Sequence, residues 1–194
     1  MHTKRVFYGW VVVGCVHVVL FTIFGVAYSF SSLFGVLQTE FQASRAATSF
    51  AFALAVFLYF VVGVIAGGVA DRTHVRSVTG LGILSLALGM WLAAHATSLP
   101  LFYLSYGLGA GIGVGCAYVP AIASVQPWFI KLRGLAAGIA SACIGPGTLV
   151  GPLAAAALIE RSGWRDTLNL FALVTLVLGL ATLLLEKSPR AKGS

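Results

Sequence analysis

The polar positions of this chain fall in short clusters separated by long apolar runs. Six runs stand out, near 8–36, 47–70, 77–95, 99–125, 134–159 and 167–185. A helix rises about 1.5 Å per residue, so about 20 apolar residues cross the hydrocarbon core of a bilayer. Each run is long enough to span, and the pattern predicts six transmembrane helices joined by short loops.

Two of the polar breaks repeat each other. Asp71-Arg72-Thr73-His74-Val75-Arg76 and Glu160-Arg161-Ser162-Gly163-Trp164-Arg165 both read acid-Arg-hydroxyl-x-x-Arg and lie 89 positions apart. Gly25-Val26-Ala27-Tyr28 returns as Gly115-Cys116-Ala117-Tyr118, and Phe41 with Arg45 returns as Phe129 with Arg133, at offsets of 88 to 90. Three runs separate the two charged breaks, which puts them on opposite sides of a membrane. A three-span unit repeated upside down is the signature of secondary transporters, which hold substrate between such repeats near the midplane. The expected fold is all-α integral membrane: one domain over 1–194, with six transmembrane helices as two inverted three-helix repeats. Repeat one covers about 8–95, repeat two about 99–185, and 186–194 form a polar cytoplasmic tail.

Composition excludes water as the main solvent. Hydrophobic residues make up 59% of the chain and charged residues 9%, against about 25% charged in soluble domains. His2-Thr3-Lys4-Arg5 resembles the basic start of a signal peptide, but the apolar stretch after it exceeds the roughly 7–15 residues of a signal core, so an uncleaved span is expected.

The formal charge of +7 follows from membrane orientation. With the N-terminus cytoplasmic, the inner segments hold Lys4, Arg5, Arg72, Arg76, Lys131, Arg133, Lys187, Arg190 and Lys192. The outer loops hold only Arg45, Arg161 and Arg165, balanced by Glu40, Glu160 and Asp166. The bias predicts a multi-pass protein of the plasma membrane with both termini cytoplasmic. The basic excess then faces anionic lipid headgroups. With no basic run or aromatic interleaving, no nucleic-acid partner is expected. Cys15, Cys116 and Cys143 fall inside spans without metal-ligand spacing and read as packing residues. No nucleophile–base pair, histidine cluster or paired carboxylate lies in the spans, so neither an enzyme nor a cofactor is implied.

Small residues at four-residue spacing mark helix interfaces in lipid. Gly63 and Gly67 form such a pair, Gly107, Gly111 and Gly115 form one face of the fourth span, and Gly109 and Gly113 form a second. The alternating glycines are not a strand, because a lone strand leaves its backbone unsatisfied in lipid. Pro146 and Pro152 in the fifth span each remove a backbone donor and favour kinks. Such kinks suit either a helix that rocks during alternating access or a bent helix in a static bundle.

Gly67-x-x-Ala70-Asp71-Arg72-x-x-x-Arg76 resembles the loop motif between spans two and three of the major facilitator superfamily, with His74 where that family has glycine and Val75 where it has a basic residue. Three further stretches resemble the monocarboxylate transporter and oxalate/formate antiporter branch. They are Tyr8-Gly9-Trp10-Val11-Val12-Val13, Trp128-Phe129-x-x-x-Arg133-Gly134-Leu135-Ala136-x-Gly138-Ile139 and Gly163-Trp164-Arg165. Members of this superfamily have twelve spans in two six-span halves, so the chain resembles the N-terminal half. The resemblance implies a second six-span half as partner, from the same or a separate chain, and secondary transport of a small organic anion such as a monocarboxylate. The alternative is a non-transporting scaffold or regulatory half-transporter.

The resemblance also implies roles for individual residues. Gly67, Asp71, Arg72 and Arg76 form a gating motif in which the acid faces a helix N-terminus of the other half, where a carboxylate is favoured. Glu160, Arg161 and Arg165 are its mirror set. Spans one and four line the central cavity, where aromatic residues contact carboxylates in the related branch. Tyr28 and Tyr118 hold equivalent positions in the two repeats, either contacting substrate through a neutral phenol donor or packing. His17, eleven residues from Tyr28 and on the same helical face, offers a substrate contact or proton relay, or bonds to a neighbouring helix. Tyr106 and Ser29 complete the candidate cavity. No Lys or Arg lies in the middle of a span, so the counter-charge for an anion is expected from the second half.

Overall fold

The computed structural model describes residues 8–129 and 132–185. The tail 186–194 and the basic residues Lys4, Arg5, Lys131, Lys187, Arg190 and Lys192 lie outside the described residues. The described chain is helical, with no strand. Its helices are α1 (Tyr8–Tyr28), α2 (Phe30–Glu40), α3 (Arg45–Arg72), α4 (Val75–Ala94), α5 (Leu99–Phe102), α6 (Gly109–Val125), α7 (Arg133–Ser141) and α8 (Ile144–Gly179). A π-helical turn, Tyr103–Leu108, joins α5 to α6, and a 3-10 turn, Leu180–Leu184, follows α8.

Five runs are long and apolar enough to cross a membrane: Tyr8–Glu40, Arg45–Arg72, Val75–Ala94, Leu99–Trp128 and Arg133–Leu184. The last has 52 residues and as one rod would measure about 78 Å. It is not one rod. Val150, Ala154 and Leu158 line the same apolar cavity as Leu170, Val174 and Leu178, so the chain doubles back between them. The reversal falls at Gly163, whose φ of 82° is the left-handed geometry that favours glycine. The expected break over 160–166 therefore shrinks to one residue, and Glu160, Arg161 and Ser162 complete the last turn of the first limb. The other charged break contracts in the same way. Asp71 and Arg72 close α3, and only Thr73 and His74 separate it from α4.

The first run departs from expectation by breaking at Tyr28–Ser29, between α1 and α2. Three hydroxyls cover the carbonyls there. Ser29 Oγ donates to Val26 at 2.6 Å, Tyr106 Oη to Ala27 at 2.6 Å and Ser31 Oγ to Tyr28 at 3.1 Å. In lipid an uncovered carbonyl has no water to turn to, so the break is tolerated where side chains replace the helical donors. Tyr106→Phe is expected to strand the Ala27 carbonyl at a cost of about 1–3 kcal/mol. Thermal unfolding in detergent should show a Tm several degrees below the parent, while an unchanged Tm would mean the carbonyl finds another donor.

The centre is built on glycine contacts. A Cβ on Gly111 would meet the Ala55 carbonyl of α3 at 2.9 Å, and one on Gly115 the Tyr59 carbonyl at 2.9 Å. On the other side, a Cβ on Gly113 would lie 2.7 Å from Leu86 of α4, and Gly109 abuts Gly89. So α6 wedges between α3 and α4, with its two glycine faces each serving one neighbour. Gly63 and Gly67 of α3 both pack on Val119.

The two ends of the bundle are pinned differently. Tyr8 Oη donates to the Leu184 carbonyl at 2.8 Å, which puts the first and last described residues at the same end. At the opposite end Arg165 reaches Glu40, Ala94 and Ala96.

Candidate functional site

Between α1, α3 and α6 lies a cavity of about 170 Å³ walled by Phe24, Tyr28, Phe52, Tyr59 and Phe60 over a floor of small residues that includes Ala110. The local sequence explains the wall. Phe52, Val56 and Tyr59 recur at helical spacing on α3, and Phe24 and Tyr28 are one turn apart on α1. Phe24 is the hub: its ring centroid lies 6.2 Å from Tyr28, 6.4 Å from Tyr59 and 5.3 Å from Tyr118. Tyr59 and Tyr118 meet edge-on at 5.9 Å, and Tyr28 meets Phe52 edge-on at 5.6 Å. Such T-shaped pairs are the favoured arrangement of aromatic quadrupoles.

The six tyrosines of the chain divide into two sets. Tyr8, Tyr103 and Tyr106 donate to backbone carbonyls of other elements. Tyr28, Tyr59 and Tyr118 surround Phe24, and their hydroxyls make no hydrogen bond to any described residue. Three neutral donors are thus left around Phe24, and two of them, Tyr28 and Tyr59, belong to the cavity wall.

The structure separates the sequence candidates. Tyr28 and Tyr118 come together through Phe24. Tyr106 touches the cavity floor but is fully buried, with its hydroxyl committed to Ala27. Ser29 is fully buried and bonded to Val26. His17 stands apart, its Nδ1 lying 3.2 Å from the Ile139 carbonyl of α7. Tyr59 was not anticipated, because one tyrosine in an apolar run carries no signal alone; its spacing from Phe52 was the available clue.

Asp71, Arg72 and Arg76 are exposed, and none bonds to another described residue. Arg165 of the mirror set is engaged. It donates from Nη1 to Ala94 and Ala96 at 2.9 and 3.1 Å and from Nη2 to Glu40 at 3.0 Å, and it lies 4.3 Å over the Trp164 ring.

An apolar helical bundle with an aromatic cavity on one side defines the class, a helical membrane protein. The chain belongs to the Major Facilitator Superfamily, whose family model matches residues 16–194. It is 35% identical over 140 residues to the fujikurins efflux protein of Gibberella fujikuroi, covering 72% of this chain and 30% of that protein. It is 30% identical over 161 residues to mouse monocarboxylate transporter 14, covering 79% of this chain and 31% of that one. The inward-open structure of the xylose transporter XylE from E. coli superposes with a TM-score of 0.70 at 18% identity, over 95% of this chain and 49% of that chain. The chain spans about a third of the length of these curated relatives.

Proposed function

We propose that the chain is the N-terminal six-span half of a secondary active transporter for a small organic anion such as a monocarboxylate. In this reading the limbs of α8 count as separate spans, and the bundle is two inverted three-span repeats. Both termini face the cytoplasm across the plasma membrane. A second six-span half closes the aromatic cavity and supplies the cationic partner that the described spans lack.

The observation that carries the reading is the set of three unpartnered phenols gathered around Phe24, with Tyr28 and Tyr59 on the cavity wall and Tyr118 against Phe24 and Tyr59. A phenol donates to an anion without bringing a charge into the membrane. Two of the three sit at matched positions of the two repeats, where the inverted architecture concentrates substrate contacts. Asp71, Arg72 and Arg76, unengaged within this half, then serve as the inner gate against the other half, with Gly67 letting α3 approach α6. Arg165 ties the outer end.

The test is uptake of a panel of labelled monocarboxylates into vesicles of the native membrane carrying the tagged chain. Tyr59→Phe and Tyr118→Phe are each expected to lower uptake roughly 10-fold, the scale of one lost charge-assisted hydrogen bond, at unchanged protein level. Uptake that ignores both changes would favour a scaffold. A second check is Asp71→Asn, expected to slow turnover while leaving substrate affinity near its parent value.

A further inference from the structure

The chemistry of the cavity wall narrows the substrate beyond its charge, and this inference rests on the transporter reading. The polar atoms of the wall side chains are phenol hydroxyls, and no charged side chain lines it. Whatever charge the second half supplies, a short hydrophilic anion such as formate or acetate would lose its hydration to this wall and gain from it only one or two neutral hydrogen bonds. An anion with an apolar body fares differently, because its hydrocarbon surface gains from the same transfer.

The shape is more specific still. Apolar cavities of roughly 150 Å³ accept a benzene ring, and the recess on this half alone offers about 170 Å³. The walls present ring edges and faces at angles from 41° to 86° around Phe24, the geometry in which a further ring finds an edge-to-face partner. Phe52 and Tyr59 on α3 face Phe24 and Tyr28 on α1, so the opening is bounded by aromatics on two helices. Phenol hydroxyls are the side-chain polar groups of the wall available to a ring held there. We propose that the cavity takes the ring of a planar aryl carboxylate of the benzoate type, with the Tyr59 hydroxyl and one flanking phenol donating to its carboxylate.

Binding and uptake measured side by side test this inference separately from the transport reading. The tagged chain is extracted with its surrounding lipid in polymer nanodiscs, and binding of labelled benzoate, acetate and benzyl alcohol is measured. Uptake of benzoate and acetate is measured in native membrane vesicles. Benzoate is expected to bind at least roughly 10-fold tighter than acetate, the scale on which apolar pockets discriminate. Tyr59→Phe is expected to weaken benzoate more than benzyl alcohol, which keeps the ring and lacks the anion. Benzoate binding with no uptake of either acid supports the aryl site and overturns the transport reading. Uptake of both acids without preference supports transport and overturns the aryl site. A wall that binds acetate and benzoate equally, or neither, also overturns it.

Discussion

Gly151→Leu is expected to remove the folded protein. At the crossing of α1 and α8 a Cβ on Gly151 runs into the Gly25 carbonyl and lies 2.7 Å from the Gly25 Cα, while one on Gly147 lies 2.7 Å from the Phe21 carbonyl. These are backbone atoms, which have no rotamer to escape into. Overpacking by extra methylenes in a flexible core costs about 1–3 kcal/mol, and here the helices must separate to make room. That separation also pulls Ser32 Oγ from the Pro152 carbonyl, now 2.8 Å away. Fluorescence-detected size exclusion should show loss of the monodisperse peak. Gly14→Leu is the matched control, since a Cβ there has nothing within 4 Å, and its peak should survive. Equal behaviour of the two variants would refute close backbone contact at this crossing.

Arg165→Ala should produce the next largest loss of stability. Its side chain is 40% exposed and that of Glu40 is 42% exposed, so their ion pair alone contributes about 0–1 kcal/mol. The carbonyls of Ala94 and Ala96 weigh more. Ala94 ends α4, where helix carbonyls lack internal partners and a cation is favoured, Ala96 follows just beyond it, and a charged donor to such a carbonyl contributes about 1.5–3 kcal/mol. Glu40→Gln should therefore lower Tm by only a degree or two, and Arg165→Ala by several times as much. Arg165→Lys should rescue little, since one ammonium cannot reproduce the guanidinium fork across two carbonyls and a carboxylate. Equal Tm losses for Glu40→Gln and Arg165→Ala would assign the effect to the ion pair.

Much of the helix layout was legible because apolar length is a local property. The runs at 47–70 and 77–95 became Arg45–Arg72 and Val75–Ala94, extended or trimmed by a residue or two where polar side chains complete a turn. The glycine faces of α6 were legible for a similar reason: four-residue spacing fixes which glycines share a side. The break at Tyr28–Ser29 was not legible, because it depends on Tyr106 arriving from 79 residues away to cover Ala27. The candidate cavity was half legible. Tyr28 stood out through the repeat with Tyr118, which packs on Phe24 beside the cavity, whereas Tyr59 has no repeat partner and became visible only when α3 packed against α1 and α6.

By itself, then, the sequence determined the solvent, the spans and the family, since hydrophobic length, small-residue spacing and the Asp71-Arg72 motif are written along one strand of chain. The tertiary structure alone decided which polar groups are available. Ser29, Tyr106 and Arg165 look as chemically ready as Tyr28, Tyr59 and Tyr118 until their partners are seen. In a bilayer, a hydroxyl bonds to whatever acceptor the packing brings near, because no water competes for it, and at the end of the bundle the Arg165 guanidinium is held by the α4 end and Glu40. Availability therefore depends on neighbours distant in sequence, and only the packed bundle shows that Tyr28, Tyr59 and Tyr118 are left with hydrogen bonds to give.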